Sequence, residues 1–232
     1  MTNKTKIILI YTGVVFICSI AIGGFTILGK LQDKRDSYQS PLATDMGKEI
    51  PQEFLRLKSD LTLTNQDGEK VAISDLKDKV WVFAQFFAKC PMCAQRNYND
   101  LLDLYSKYKE HPNFVVVCMT VDPEVDTPKR LKEYANVINV DSRNWMFLTG
   151  DKKEMHEYMT KEMKFLDIRE RTVPAEIAQK GRYAHDLGLA VFDENLVMRT
   201  KVDLSFARSQ NEELFKVYSE KLNSAIQSAL SN

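Results

Sequence analysis

The stretch Val80-Trp81-Val82-Phe83-Ala84-Gln85-Phe86-Phe87-Ala88-Lys89-Cys90-Pro91-Met92-Cys93 decides the fold. Its first eight residues are an almost continuous apolar and aromatic run, the pattern of a strand buried on both faces at the centre of an α/β sheet. Immediately after it come two cysteines in C-x-x-C spacing. Tyr98, Leu101, Leu102, Leu104, Tyr105 and Tyr108 then recur at helical spacing, and Phe114 to Val121 reads as the next buried strand. Strand, helix and strand in that order predict two parallel strands joined by a helical crossover.

Upstream, Leu61 to Thr64 and Val71 to Ile73 are short strand-like runs around Asn65-Gln66-Asp67-Gly68, a hairpin signal. Downstream, a helix is expected from Pro128 with Thr127 as its N-cap. Leu187 to Phe192 and Leu196 to Val202 read as a late hairpin around Asp193-Glu194-Asn195. A last helix comes after it, with Ser209 and Glu212 in capping-box spacing and Leu214, Tyr218, Leu222 and Ala225 along one face. This order predicts an α/β domain of the thioredoxin-like type, a central mixed sheet flanked by helices.

The N-terminal part is of a different kind. After a short tail, residues 1–6, the segment from Ile7 to Gly29 carries no charge and is flanked by Lys4, Lys6 and Lys30. At about 1.5 Å per residue it is long enough to cross a bilayer core of roughly 30 Å. It also exceeds the apolar region of about 7–15 residues usual in a cleaved signal. The expected organisation is therefore a transmembrane anchor over 7–29, a polar tether over 30–53 and a globular domain over 54–232. Basic residues are nearly even on the two sides of the span, so charge leaves the orientation open. The whole chain holds 32 basic and 32 acidic residues, which speaks against a nucleic-acid partner, since that class relies on concentrated basic charge.

Chemistry centres on Cys90 and Cys93. A strand-to-helix loop at the carboxyl edge of such a sheet is where ligands usually bind. The positive end of the next helix and the neighbouring Lys89 both favour thiolates. A closed zinc site normally takes four ligands, and no second C-x-x-C is present. Cys18 lies in the apolar segment and Cys118 in Phe114–Val121, where simple burial accounts for them. A functional dithiol thus remains, either holding a soft metal such as Cu(I) or exchanging disulfides with a partner. A third ligand would discriminate. His111 is expected in a solvated loop, His156 on the surface of a helical segment from Lys152 to Met163, and His185 in a loop entering a late strand.

Several segments resemble the SCO (SenC) family of copper-handling proteins associated with cytochrome c oxidase assembly. Thr120-Val121-Asp122-Pro123-Glu124-Val125-Asp126-Thr127-Pro128 is similar to that family's S-V-D-P-E-x-D-T-P segment. Leu131-Lys132-Glu133-Tyr134-Ala135 is similar to the family's next few residues, and Trp145-Met146-Phe147-Leu148-Thr149-Gly150 to its W-x-x-L-T-G. The resemblance, covering roughly residues 58 to 202, implies a copper site made of Cys90, Cys93 and His185. It also implies an oxidase copper subunit as partner and a membrane-anchored domain on the extracytoplasmic side. One departure stands out: the family has C-x-x-x-C followed by proline, whereas this chain has C-x-x-C followed by Ala94. One residue fewer turns the second sulfur by about 100° around a helix, and favours the second expectation, a thiol-disulfide oxidoreductase acting on another thiol protein. Asp122 and Thr127 are expected to brace and cap the loop that carries them.

Overall fold

A computed structural model describes residues 55–88 and 97–231. The element order is β1 (Thr62–Asn65), β2 (Lys70–Ala72), a 3-10 turn (Ile73–Leu76), β3 (Val80–Phe86), α1 (Tyr98–Tyr108), β4 (Phe114–Thr120), α2 (Pro128–Ile138), β5 (Trp145–Thr149) and α3 (Lys152–Glu157). A π-helical turn (Tyr158–Glu162), β6 (Arg169–Glu170), α4 (Pro174–Lys180), β7 (Tyr183–Ala184), β8 (Leu189–Phe192), β9 (Met198–Val202), α5 (Leu204–Gln210) and α6 (Glu212–Leu230) complete it.

Seven strands form one mixed sheet in the order β2-β1-β5-β4-β3-β8-β9. The predicted crossover is present: β3 runs parallel to β4, in register from Val80 with Phe114 to Phe86 with Thr120. On its other side β3 pairs antiparallel with β8, and β4 pairs parallel with β5. Every residue of β3 and β4 is buried, as their unbroken apolar sequence requires of central strands. Alternate residues of β3 serve two cores. Val80, Val82, Ala84 and Phe86 pack with Leu101, Leu104 and Tyr105 of α1, Leu131 of α2, and Leu222 and Ile226 of α6. Trp81 and Phe83 pack on the opposite face with Leu63, Ile73, Met155, Met159 and Phe165. Trp81 also stacks on Phe192 of β8, ring centroids 4.2 Å apart.

Both predicted hairpins form. β1 and β2 are in register at Leu63 and Val71, with Gly68 at φ 83° in the turn, and β8 and β9 pair around Asp193 to Asn195. Thr127 caps α2, accepting the Arg130 N–H through its hydroxyl, with Pro128 in the first turn. One cap is corrected. Ser209 lies inside α5, a short helix capped by Asp203, and α6 is capped instead by Asn211, whose side chain accepts the Leu214 N–H at 2.7 Å. The apolar face of α6 is built on Leu222, Ile226 and Ala229. The anchor expected over 7–29 and the tether over 30–53 lie outside the described residues, and among the described residues no helix is long and apolar enough to cross a membrane.

Candidate metal centre

Cys90 and Cys93 lie outside the described residues, within 89–96. The described residues on either side of that segment meet one loop, the one carrying His185. On the N-terminal side, the Phe87 ring stands edge-on to the His185 imidazole, centroids 5.7 Å apart at 79°. On the C-terminal side, the Asn97 side chain, one residue before α1, donates from Nδ2 to the Leu187 carbonyl at 2.8 Å. The end of β3 and the start of α1 are thereby both attached to 185–187, between β7 and β8. A small cavity of about 30 Å³ reaches from Gln85, Asn97 and His185 into the apolar core beside Leu101, Cys118 and Trp145.

His185 is half-buried, and its Nδ1 lies 2.8 Å from the carbonyl oxygen of Asp186. A carbonyl only accepts, so Nδ1 carries the proton and the lone pair of the neutral ring sits on Nε2. That is the arrangement in which an imidazole serves as a metal ligand with its second nitrogen oriented by a backbone carbonyl. Asp186 is itself buried. Its carboxylate accepts the Leu166 N–H at 3.0 Å and the Gly188 N–H at 2.8 Å, and it pairs with the Lys201 ammonium.

The platform beneath His185 depends on a close approach. Gly181 ends α4 at φ +81°, and a Cβ there would come within 2.3 Å of the Phe87 ring. Only glycine combines that conformation with that proximity. Arg171 holds the same turn, donating from Nη1 to the carbonyls of Lys180, Gly181 and Tyr183.

The acidic turn after β4 braces the strand end from the other side. Asp126, with only 1% of its surface exposed, accepts the Ala88 N–H at 3.0 Å and the Thr120 hydroxyl at 2.6 Å on one carboxylate oxygen. Burial raises its pKa above the usual carboxylate value, against the effect of those hydrogen bonds. The bracing residue is therefore Asp126 rather than Asp122. Asp122 is buried and also raised by burial, and the Arg182 guanidinium 3.8 Å away opposes that shift. Arg182 in turn joins Glu170 at 2.7 Å and Glu124 at 3.6 Å, tying the β6–β7 hairpin to the acidic turn.

The remaining candidates separate cleanly. His156 is not a surface residue: it is half-buried and donates from Nε2 to the Val121 carbonyl at 2.8 Å, and burial lowers its pKa. It therefore holds the acidic turn as a neutral ring. His111 lies in the loop before β4, where its Nδ1 accepts the Asn113 N–H at 3.3 Å. Cys118 is buried in β4 with its thiol pushed up to about 12, which keeps it an inert core residue. Among the described residues no three His, Cys, Asp or Glu side chains cluster as a metal site.

Comparison with known proteins agrees with this architecture. The family model described as SCO1/SenC matches residues 50–216. The chain belongs to the SCO1/SenC family. A SCO1 protein homolog of Bacillus subtilis is 35% identical over 105 residues, 44% of this chain and 54% of that protein, so the match spans about half the length of that relative. Among solved structures, BsSco, described as a member of the Sco family of cytochrome c oxidase assembly proteins with a disulfide switch, superposes with a TM-score of 0.56. It is 24% identical and covers 77% of this chain and 98% of its own. ScoI of Arabidopsis thaliana, solved with copper bound, gives a TM-score of 0.53 at 17% identity, covering 72% of this chain and 99% of its own. These similarities establish the thioredoxin-like fold with its mixed sheet. Gln85, Asp126 and Asp186 were not singled out as site residues from the sequence; the one signal that could have drawn attention to Gln85 is a carboxamide inside an otherwise apolar run.

Proposed function

We propose that this SCO1/SenC protein is a membrane-anchored copper-binding assembly factor that carries copper to a copper-containing subunit of cytochrome c oxidase. Cys90 and Cys93 bind Cu(I) as thiolates and His185 adds an imidazole nitrogen. The domain 54–232 stands on the extracytoplasmic side, tethered through 30–53 to an anchor over 7–29. The single observation that carries the reading is the attachment of both flanks of the cysteine segment, at Phe87 and Asn97, to the loop bearing His185. The donor set suits the cargo: two soft thiolates favour Cu(I), and a neutral imidazole whose Nδ1–H is held by a carbonyl presents Nε2 as a nitrogen donor. Relatives named for oxidase assembly and for bound copper support the same reading.

X-ray absorption of the full chain loaded with one Cu(I) tests it. Two sulfur scatterers and one nitrogen are expected, with the nitrogen lost in His185→Ala. A sulfur-only shell in the unaltered protein would contradict the role given to His185.

The C-x-x-C spacing favours a second reading, a thiol-disulfide oxidoreductase. In it the Cys90 thiolate attacks a partner disulfide, forming a mixed disulfide and releasing one partner thiolate. The Cys93 thiolate then attacks the Cys90 sulfur, closing the Cys90–Cys93 disulfide and releasing the second partner thiolate. The protein is oxidised by two electrons and the partner disulfide is reduced. This activity requires neither copper nor His185, so His185→Ala leaves it intact while removing most copper affinity.

A further inference from the structure

Gln85 is the one carboxamide in β3, and it is buried to within 2%. A carboxamide in that position costs free energy unless its hydrogen bonds are made. Its Oε1 accepts the backbone N–H of Asp186 at 3.0 Å, across 101 residues of sequence, while its Nε2 has no partner among the described residues. The orientation of the amide is set by the partner, because an N–H requires the oxygen and not the nitrogen.

Asp186 is consequently held at every polar group it offers. Gln85 takes its N–H. Leu166 N–H, Gly188 N–H and Lys201 take its carboxylate, the lysine also lying 4.0 Å over the Phe165 ring. Gln85 fixes the 185–186 peptide, and the Asp186 side chain, closed on the Gly188 N–H, fixes the turn that holds the next peptide, whose carbonyl is the acceptor 2.8 Å from His185 Nδ1. A carbonyl free to rotate with its peptide plane would leave the imidazole a choice of tautomer and angle. A clamped one removes the choice.

We propose that Gln85 is a positioning residue for His185: by holding the peptide between His185 and Asp186 it keeps the ring against the Asp186 carbonyl, which places the proton on Nδ1 and the lone pair on Nε2. The functional half of this rests on the copper reading above; the tautomer half does not. Outer partners that orient a metal-binding histidine typically contribute about tenfold to a hundredfold in affinity, and Gln85 acts one hydrogen bond further out through the peptide.

The test uses the full chain, metal-free, with histidine labelled by nitrogen-15. Only three histidines are present, so the imidazole region holds three rings, and His185→Gln identifies the one that matters. At about pH 8, where an ordinary imidazole is neutral, His185 is expected as a single tautomer protonated on Nδ1. A ring protonated on Nε2 in the unaltered protein overturns the proposal without any variant. Gln85→Met keeps the volume and removes the acceptor; it is expected to give both tautomers in exchange. Gln85→Glu restores an oxygen acceptor and is expected to restore the single tautomer. A Gln85→Met spectrum unchanged at His185 overturns the proposal. A Cu(I) titration of the same variants is expected to show affinity about tenfold lower in Gln85→Met and recovered in Gln85→Glu. Unchanged affinity beside a lost tautomer overturns the positioning role. If His185 proves not to bind copper at all, the metal-free spectrum still decides whether Gln85 sets its tautomer.

Discussion

Replacing Asp126 by alanine should cost more than its position in a turn between β4 and α2 would indicate. The carboxylate is 1% exposed and ties together two groups, the Ala88 N–H at 3.0 Å and the hydroxyl of the fully buried Thr120 at 2.6 Å. Hydrogen bonds to a charged group contribute roughly 1.5–3 kcal/mol each, and a stranded buried donor costs about 1–3 kcal/mol. Part of this is offset, because the variant no longer buries a carboxylate, and burial already raises the Asp126 pKa. A net loss of about 2–4 kcal/mol is expected for Asp126→Ala, against about 1 kcal/mol or less for Asp126→Asn, which keeps one acceptor oxygen. At roughly 2–4 °C per kcal/mol for a domain of this size, the alanine variant should melt about 5–15 °C lower. Since the folded pKa is raised above the ordinary carboxylate value of 3.8, the stabilisation from Asp126 is full below that value and declines as pH rises through the folded pKa. Asp126→Asn should therefore gain on the unaltered protein as pH is raised from about 3.8 towards neutrality. Equilibrium urea unfolding of the full chain at a series of pH values measures both effects. An alanine variant within about 0.5 kcal/mol of the unaltered protein, the range of ordinary surface substitutions, or an asparagine variant as damaging as alanine, would refute the bracing role.

Gly181→Ala combines a positive φ with a Cβ that meets the Phe87 ring, and a loss of about 2–4 kcal/mol is expected in urea unfolding from strain and overpacking together. Because Phe87 also carries His185, copper affinity should fall with it; stability like that of the unaltered protein would contradict the close packing. For His156, burial lowers the folded pKa below 6.5, so its contribution is complete above that value and lost as pH falls through the folded pKa. His156→Gln should flatten the acid side of the stability profile between about pH 7 and pH 5; an identical slope would show that another group titrates there.

Much of this fold is legible in residue order because its strongest signals are local. β3 and β4 carry unbroken apolar runs, both hairpins carry their turn residues, and Thr127-Pro128 announces a helix start; each of these elements stands where periodicity placed it. The α6 cap is less legible because two suitable residues, Ser209 and Asn211, lie two apart. The choice is made by Asp203, which starts a separate short helix that absorbs Ser209. The β6–β7 hairpin pairs only Arg169-Glu170 with Tyr183-Ala184, too short and too charged for a period of two to register.

At the candidate site the limit lies in distance along the chain. The motif around Asp122 to Thr127 marks a special turn, yet which aspartate braces the loop depends on Ala88, 38 residues earlier. His156 sits in a segment of mixed polarity that reads as surface, and its partner Val121 is 35 residues away. Gln85 is visible as a carboxamide in an apolar run, but its meaning requires Asp186, brought beside it only when β8 joins β3. Backbone and carbonyl partners of this kind leave no trace in spacing.

The central claim, that Cys90, Cys93 and His185 together bind copper, is tested most directly by anaerobic titration of the reduced full chain with Cu(I) against a competing chelator. The unaltered protein is run beside Cys90→Ser, Cys93→Ser and His185→Ala. Tight binding of one Cu(I) per chain, lost with either cysteine and weakened at least tenfold without His185, is the predicted result. Weak binding indifferent to His185 would contradict it and leave the dithiol as a redox centre.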